Sequence, residues 1–177
     1  MIYSVMEGNK MKYYETEIKD FRIRVAEETD VSLILDFIRE LADYENLSNE
    51  VAASKDVLLD SLFVKHQAEV IIAEYKEKPV GFATYFFSFS TFLGKANLYI
   101  EDLYIKKEFR RFGLGKAIFS CLARIAEERN CERLDWSCLD WNEPSIKFYK
   151  KMGAKPVTDW TAFRVEGEAL DNLSRMK

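Results

Sequence analysis

Three groups of residues in this 177-residue sequence have the types and spacings that chemistry needs. The first is the run Lys106-Lys107-Glu108-Phe109-Arg110-Arg111-Phe112-Gly113-Leu114-Gly115-Lys116, where an apolar stretch enters a basic turn that opens a helical pattern. Glycine puts no side chain between the backbone and a ligand. The first amides of a helix have no internal partner and lie at the positive end of its dipole, so such a turn is a ready anion site. Five basic side chains stand against one acid here, in a chain whose formal charge is −4, and that reversal of sign points to a ligand bearing phosphate. The second group is Glu101-Asp102, inside a run of apolar residues. Carboxylates are costly to bury in a sheet. In a regular strand the two point to opposite faces, so one faces a cleft unless a bulge redirects it, or else the strand is an edge with solvated acids. The third is Tyr149, on a short helical stretch that begins Asn142-Glu143-Pro144. By periodicity alone it is a core aromatic, with Ile146 on the same face.

The kind of phosphate follows from what the turn lacks. A Walker loop has glycine where this chain has Arg110, and its Lys-Ser/Thr ending is here Lys116-Ala117, with no hydroxyl for magnesium. A dinucleotide fingerprint has a third glycine at the position of Ile118. What stands is R-x-x-G-x-G, Arg110 to Gly115, after a strand and before a helix.

Periodicity supplies the elements that must hold these groups. Phe21–Val25 alternates as a first strand. Thr29 or Asp30 caps a helix whose apolar face is Val31, Ile34, Leu35, Ile38 and Leu41, and which ends in Asp43-Tyr44-Glu45-Asn46. Ser54 caps a second helix carrying Val57, Leu58, Leu62 and Phe63, with His66 in the loop beyond. Glu69–Tyr75 and 80–90 are strands joined by a turn at 76–79, and a loop at 90–96 leads into a strand at 97–105. Leu114, Ile118, Leu122 and Ile125 mark the helix after the glycines. Residues 133–139 read as a fifth strand. Asn142 caps a helix that has Pro144 in its first turn and stops at Gly153. Residues 160–165 read as a last strand and 168–176 as a terminal helix. Residues 1–20 look like a flexible N-terminal extension, since no pattern holds them, and 21–177 like one domain.

Bulk properties narrow the class. A hydrophobic content of 48% with 32% charge is that of an ordinary folded domain with a sizeable core. A pI near 5.3 argues against a nucleic-acid partner and suits a cationic substrate. Three cysteines without paired metal spacing fit reduced thiols in a cytoplasmic protein. No apolar run is long enough for a membrane span, and residues 1–20 hold no apolar core of a secretory signal.

The element order, β-α-α-β-β-β-α-β-α-β, resembles that of the GNAT acetyltransferases, and R-x-x-G-x-G resembles their coenzyme A pyrophosphate signature. Four stretches narrow the resemblance: Arg39-Glu-Leu-Ala-Asp-Tyr-Glu45, Phe89-Ser-Phe-Ser-Thr-Phe-Leu-Gly94, Leu98-Tyr-Ile-Glu-Asp102, and Leu139-Asp-Trp-Asn-Glu-Pro-Ser-Ile-Lys-Phe-Tyr-Lys150 followed by Gly153-Ala154. Together they look like the diamine-acetylating branch, the spermidine/spermine and thialysine N-acetyltransferases, over about residues 22 to 170. The resemblance implies an α/β (α+β) GNAT fold: a mixed, mostly antiparallel sheet with flanking helices and a splayed central strand pair. It implies an acetyl-CoA-dependent N-acetyltransferase that acts on a primary amine of a small diamine, polyamine or diamino acid, without a metal, as a cytoplasmic homodimer.

Residue by residue, the resemblance makes Glu101 the base that frees the amine, Leu103 the backbone donor to the oxyanion, and Tyr149 the acid that protonates the leaving thiolate. Leu103 and Ile105 would pair with the pantetheine arm. Arg110, Arg111, Phe112, Gly113, Leu114, Gly115 and Lys116 would hold the pyrophosphate, and Asn142 with Tyr149 would complete the coenzyme site. Tyr44, Glu45, Glu101, Asp102 and Trp160 would meet the acceptor. One departure bears on specificity. Polyamine-acetylating members carry an acid before Pro-Trp in the loop where this chain has Ser90-Thr91-Phe92, as the thialysine-acetylating members have Ser-Thr. Loss of that acid favours a shorter acceptor with its own carboxylate. Two other functions remain open at this point: acetylation of a protein or peptide amine, and a catalytically silent coenzyme A-binding module.

Overall fold

The computed structural model describes residues 13–176; residues 1–12 of the expected extension lie outside the described residues. The chain divides into two units, Met1–Ser137 and Cys138–Lys177.

The first unit is built on one six-stranded sheet in chain order: β1 (Tyr13–Glu15), β2 (Phe21–Val25), β3 (Glu69–Tyr75), β4 (Lys78–Ser90), β5 (Lys95–Ile105) and β6 (Leu134–Trp136). Neighbours are antiparallel except β5 and β6, which run parallel. This is the mixed, mostly antiparallel sheet expected. The β3–β4 turn places both Lys76 (φ 51°) and Glu77 (φ 63°) in the left-handed region, the two-residue geometry whose twist matches a hairpin. The β4–β5 connection is tighter than the expected 90–96 loop, because Ser90 already pairs with Lys95. Strand β1 lies within the segment expected as an extension and pairs with β2 through Tyr13↔Arg24 to Glu15↔Arg22.

Alternation along the strands separates two faces. One carries Val70, Ile72, Phe82 and Tyr104, packed with Ile34 and Phe37 of α1 (Val31–Glu45) and flanked by Leu58 of the short α2 (Lys55–Leu59). Phe37 and Phe82 stack at 5.4 Å between ring centroids. The alternate residues Ile23, Ile71 and Ala83 are buried on the other face, where α3 (Leu114–Glu128) presents Ile118, Leu122 and Ile125. Ser54 caps α2 as expected, its hydroxyl accepting from the Val57 amide at 3.3 Å. Asp30 precedes α1 without capping it through its side chain. Its carboxylate is taken instead by both terminal nitrogens of the buried Arg24 (2.6 and 2.8 Å) and by the Glu27 amide. A buried guanidinium that needs a counter-charge outcompetes a helix cap for the same oxygens.

In the second unit, α4 (Glu143–Lys151) starts as the sequence predicts, with Asn142 Oδ1 accepting from the Ser145 amide at 3.3 Å. Gly153 (φ 93°) follows its end, and α5 (Gly167–Ser174) lies further on. The strand expected at 160–165 is not formed. Its alternating pattern lacks the neighbour that a strand requires: among the described residues nothing pairs with it, and Trp160 and Phe163 are 75% and 92% exposed.

Candidate active site

The acids of β5 are positioned by a defect in its ladder with β4. Thr84 faces Asp102 and Tyr85 faces Ile100, so Glu101 is an extra residue with no partner. This bulge moves the register by one. Ile100 follows Tyr85 to the α3 side of the sheet, while Asp102 follows Thr84 to the α1 side. The Thr84 hydroxyl donates to the Asp102 carboxylate. Glu45, the last residue of α1, and Glu101 both lie close enough to act on Asp102 electrostatically. Burial is the largest influence on Asp102, repulsion from Glu101 and Glu45 adds to it, and its carboxyl is pushed up to about 6 despite the Thr84 hydrogen bond. Burial also raises Glu45. Three carboxylates thus share one corner, and no cation figures among the groups that shift Asp102.

The same strand exposes main-chain groups. Lys106 N–H donates to the Val80 carbonyl at 2.9 Å, so the alternate pairs Phe82↔Tyr104 and Thr84↔Asp102 direct their amides and carbonyls toward β4. Those of Leu103 and Ile105 therefore point away from β4. On that side β6 pairs only with Leu98 to Ile100, so among the described residues no strand covers Leu103 or Ile105. β5 and β6 part just where the bulge lies.

Beyond Ile105 the chain folds tightly into α3. Arg111 (φ 71°) and Gly113 (φ 82°) both adopt the left-handed region. For arginine that conformation is costly, on the order of 1–3 kcal/mol, and such costs concentrate where a ligand is held. Leu114 is buried in the core, whereas Arg111, Phe112, Gly113 and Lys116 are exposed around the first turn of the helix. The main-chain amides of 112–116 and two exposed cations, Arg111 and Lys116, are a set of donors suited to a pyrophosphate. Arg110 differs from its neighbours. Its Nε donates to the Ile105 carbonyl at 2.8 Å, and its guanidinium lies 4.4 Å from the Tyr44 ring centre and 5.6 Å from that of Tyr104.

The structure thus brings Tyr44, Glu45, Glu101, Asp102, Leu103, Ile105 and the basic turn into one unit. Asn142, Tyr149 and Trp160 belong to the second unit: Asn142 caps α4, Tyr149 lies in the last turns of that helix with its ring 5.3 Å from that of Phe148, and Trp160 is exposed.

Comparison with known proteins identifies the family. The Acetyltransferase (GNAT) family model matches residues 35–154. The chain belongs to the GNAT acetyltransferase family. A thialysine N-epsilon-acetyltransferase from Bos taurus is 38% identical over 164 residues, covering 86% of this chain and 96% of that one. An L-ornithine N5-acetyltransferase from Arabidopsis thaliana is 26% identical, covering 88% of each. Among solved structures, an integron cassette protein from the mobile metagenome of V. cholerae matches with a TM-score of 0.75 and 29% identity, over 90% of this chain and all of that one. As a GNAT protein the chain is an N-acetyltransferase, and enzymes of this family use acetyl-CoA.

Two residues of this candidate site were not apparent from sequence. Thr84 is one of many alternating residues in β4, and only the register sets it against Asp102. Tyr104 reads as a strand aromatic, yet it lies against Phe37 at 6.3 Å, and Glu40 accepts a hydrogen bond from its hydroxyl. No spacing within β5 points to α1. The signal would have been the bulge itself, and a bulge has no composition of its own.

Proposed function

We propose that this GNAT enzyme acetylates the side-chain amine of a small diamino acid or diamine, of about lysine or ornithine length. The observation that carries this reading is the crowded acid corner of Glu45, Glu101 and Asp102, whose mutual repulsion an ammonium group would offset. The acceptors named for the thialysine and ornithine relatives support it, as does Ser90-Thr91 in place of an acid.

An alkylammonium, with a pKa of about 10, must lose a proton before it attacks a thioester. In our reading Glu101 takes that proton, directly or through water. The nitrogen forms its bond to the acetyl carbonyl carbon while the oxygen accepts from the Leu103 amide. The C–S bond breaks, Tyr149 supplies the proton to the leaving thiolate, and the second proton that the nitrogen gives up on becoming an amide restores the tyrosine hydroxyl through solvent. Leu103 and Ile105 pair with the pantetheine arm, the turn from Arg110 through Arg111, Phe112, Gly113, Leu114 and Gly115 to Lys116 receives the pyrophosphate, and Asn142 joins Tyr149 on the coenzyme. Tyr44, Glu45, Asp102 and Trp160 meet the acceptor. The route needs no metal. Residues 21–177 act as one catalytic domain, and the protein works as a homodimer in the cytoplasm, a reading that rests on family resemblance and that light scattering tests for the dimer.

The deciding experiment is thiol release from acetyl-CoA with a panel of thialysine, lysine, ornithine, putrescine, spermidine and short peptides. The diamino acids should have the highest kcat/KM. Turnover confined to peptides would overturn the acceptor assignment.

A further inference from the structure

The basic turn and the acceptor corner are joined by one side chain. Arg110 sits in the R-x-x-G-x-G turn, but its Nε is engaged by the Ile105 carbonyl at 2.8 Å, which fixes the plane of the guanidinium. The guanidinium carbon lies over two aromatic rings, 4.4 Å from the centre of Tyr44 and 5.6 Å from that of Tyr104. Tyr44 is the penultimate residue of α1 and packs against the core on the α1 side of the sheet. Its neighbour Glu45 completes the acid corner, and Asn46 (φ 61°) ends the helix immediately afterwards. Helix ends are where local opening begins, so contacts made at the last turn decide where its side chains stand. A second link runs in parallel one turn earlier: Lys106 Nζ lies 2.9 Å from Glu40 and 5.5 Å from the Phe37 ring centre.

We infer that Arg110 is a positioning residue for the acceptor: stacked on Tyr44, it pins the end of α1 so that Glu45 stands opposite Glu101 and Asp102. This rests on the proposed function and adds to it that the coenzyme turn and the acceptor pocket are coupled through one cation–aromatic contact. A planar guanidinium with a fixed Nε bond makes this contact in a way an ammonium does not reproduce. Occupation of the turn steadies Arg110, and Arg110 steadies Glu45, so donor binding raises acceptor affinity.

The test is a double-mutant cycle with Arg110→Lys and Tyr44→Leu, read as acceptor KM beside acetyl-CoA Kd from calorimetry. Lysine keeps the charge near the phosphates and loses the planar stack. Each single variant should raise acceptor KM by roughly tenfold, about the size of one partly desolvated cation–π contact, while in Tyr44→Leu acetyl-CoA Kd moves less than about twofold. The double variant should be no worse than either single one, and Tyr44→Phe, which keeps the ring, should recover most of the loss in acceptor KM seen with Tyr44→Leu. Three results overturn the inference: additive effects in the double variant, a rise in acetyl-CoA Kd with acceptor KM unchanged, or a Tyr44→Phe enzyme as impaired as Tyr44→Leu, which would make the hydroxyl a direct ligand. Wild-type protein that releases no thiol with any amine overturns both this coupling and the function it rests on. Normal wild-type turnover with an additive cycle overturns the coupling alone.

Discussion

Gly81 lies so close to Tyr104 that a methyl group on it would run into the Tyr104 main-chain oxygen and stand 3.2 Å from Ile105 Cα. Both obstacles are backbone, so neither can swing aside. Gly81→Ala should therefore push β4 from β5 beside the strand segment that carries Leu103 and Arg110's carbonyl partner. A loss of about 1–3 kcal/mol in urea unfolding is expected, the usual cost of overpacking. Acetyl-CoA affinity should fall with it, and an unchanged unfolding midpoint would show that the two strands can part without cost.

Asp102 makes stability depend on pH in a definite direction. Its carboxyl is raised from 3.8 to about 6, so between these values the folded chain holds a proton that the unfolded chain releases. Stability is thus greatest below the lower value and falls as pH rises through the upper one. Asp102→Asn removes this dependence. Relative to wild type, the variant should gain stability from about pH 4 to pH 7.5, by at most about 3 kcal/mol. Urea unfolding at the two pH values checks it. The variant should also raise acceptor KM, because the same charge that burdens the fold attracts the ammonium.

Glu101→Gln removes the proposed base and leaves the bulge in place. A fall in kcat of about a hundredfold or more is expected, with partial recovery at high pH where free amine is abundant. Steady-state rates across pH measure this, and near wild-type turnover at neutral pH would exclude Glu101 from proton transfer.

Tyr149→Phe separates chemistry from binding. Loss of the proton donor should lower kcat by about tenfold to a thousandfold while acetyl-CoA still binds, as calorimetry would show. Equal loss of both would mean that Tyr149 holds the coenzyme and donates no proton.

The Arg24 network is structural. Arg24 is 5% exposed and pairs with Asp30 (2.6 Å) and Glu74 (2.7 Å), and Glu74 also takes Arg22 (2.8 Å). Arg24→Met leaves the part-buried Asp30 carboxylate without its counter-charge and should cost about 3–5 kcal/mol, measured by thermal or denaturant unfolding. If the variant melts with wild type, solvent reaches the acids more easily than the packing indicates.

Much of this enzyme is written locally. The Arg110-to-Gly115 turn, the Ser54 and Asn142 caps and the apolar faces of α1 and α3 follow from neighbours within a few residues, because hydrogen bonds and helical periodicity act over that range. For the same reason Glu101 and Asp102 stood out as acids in an apolar strand. Their arrangement was beyond such reasoning. The bulge at Glu101 exists only as a register between β4 and β5, the Glu45–Asp102 repulsion joins residues far apart in the chain, and the Arg110 stack on Tyr44 depends on how α1 lies on the sheet. The failed strand at 160–165 teaches the converse: alternation is a local property, but a strand is a relation between two segments, and only the tertiary structure decides whether the second is present.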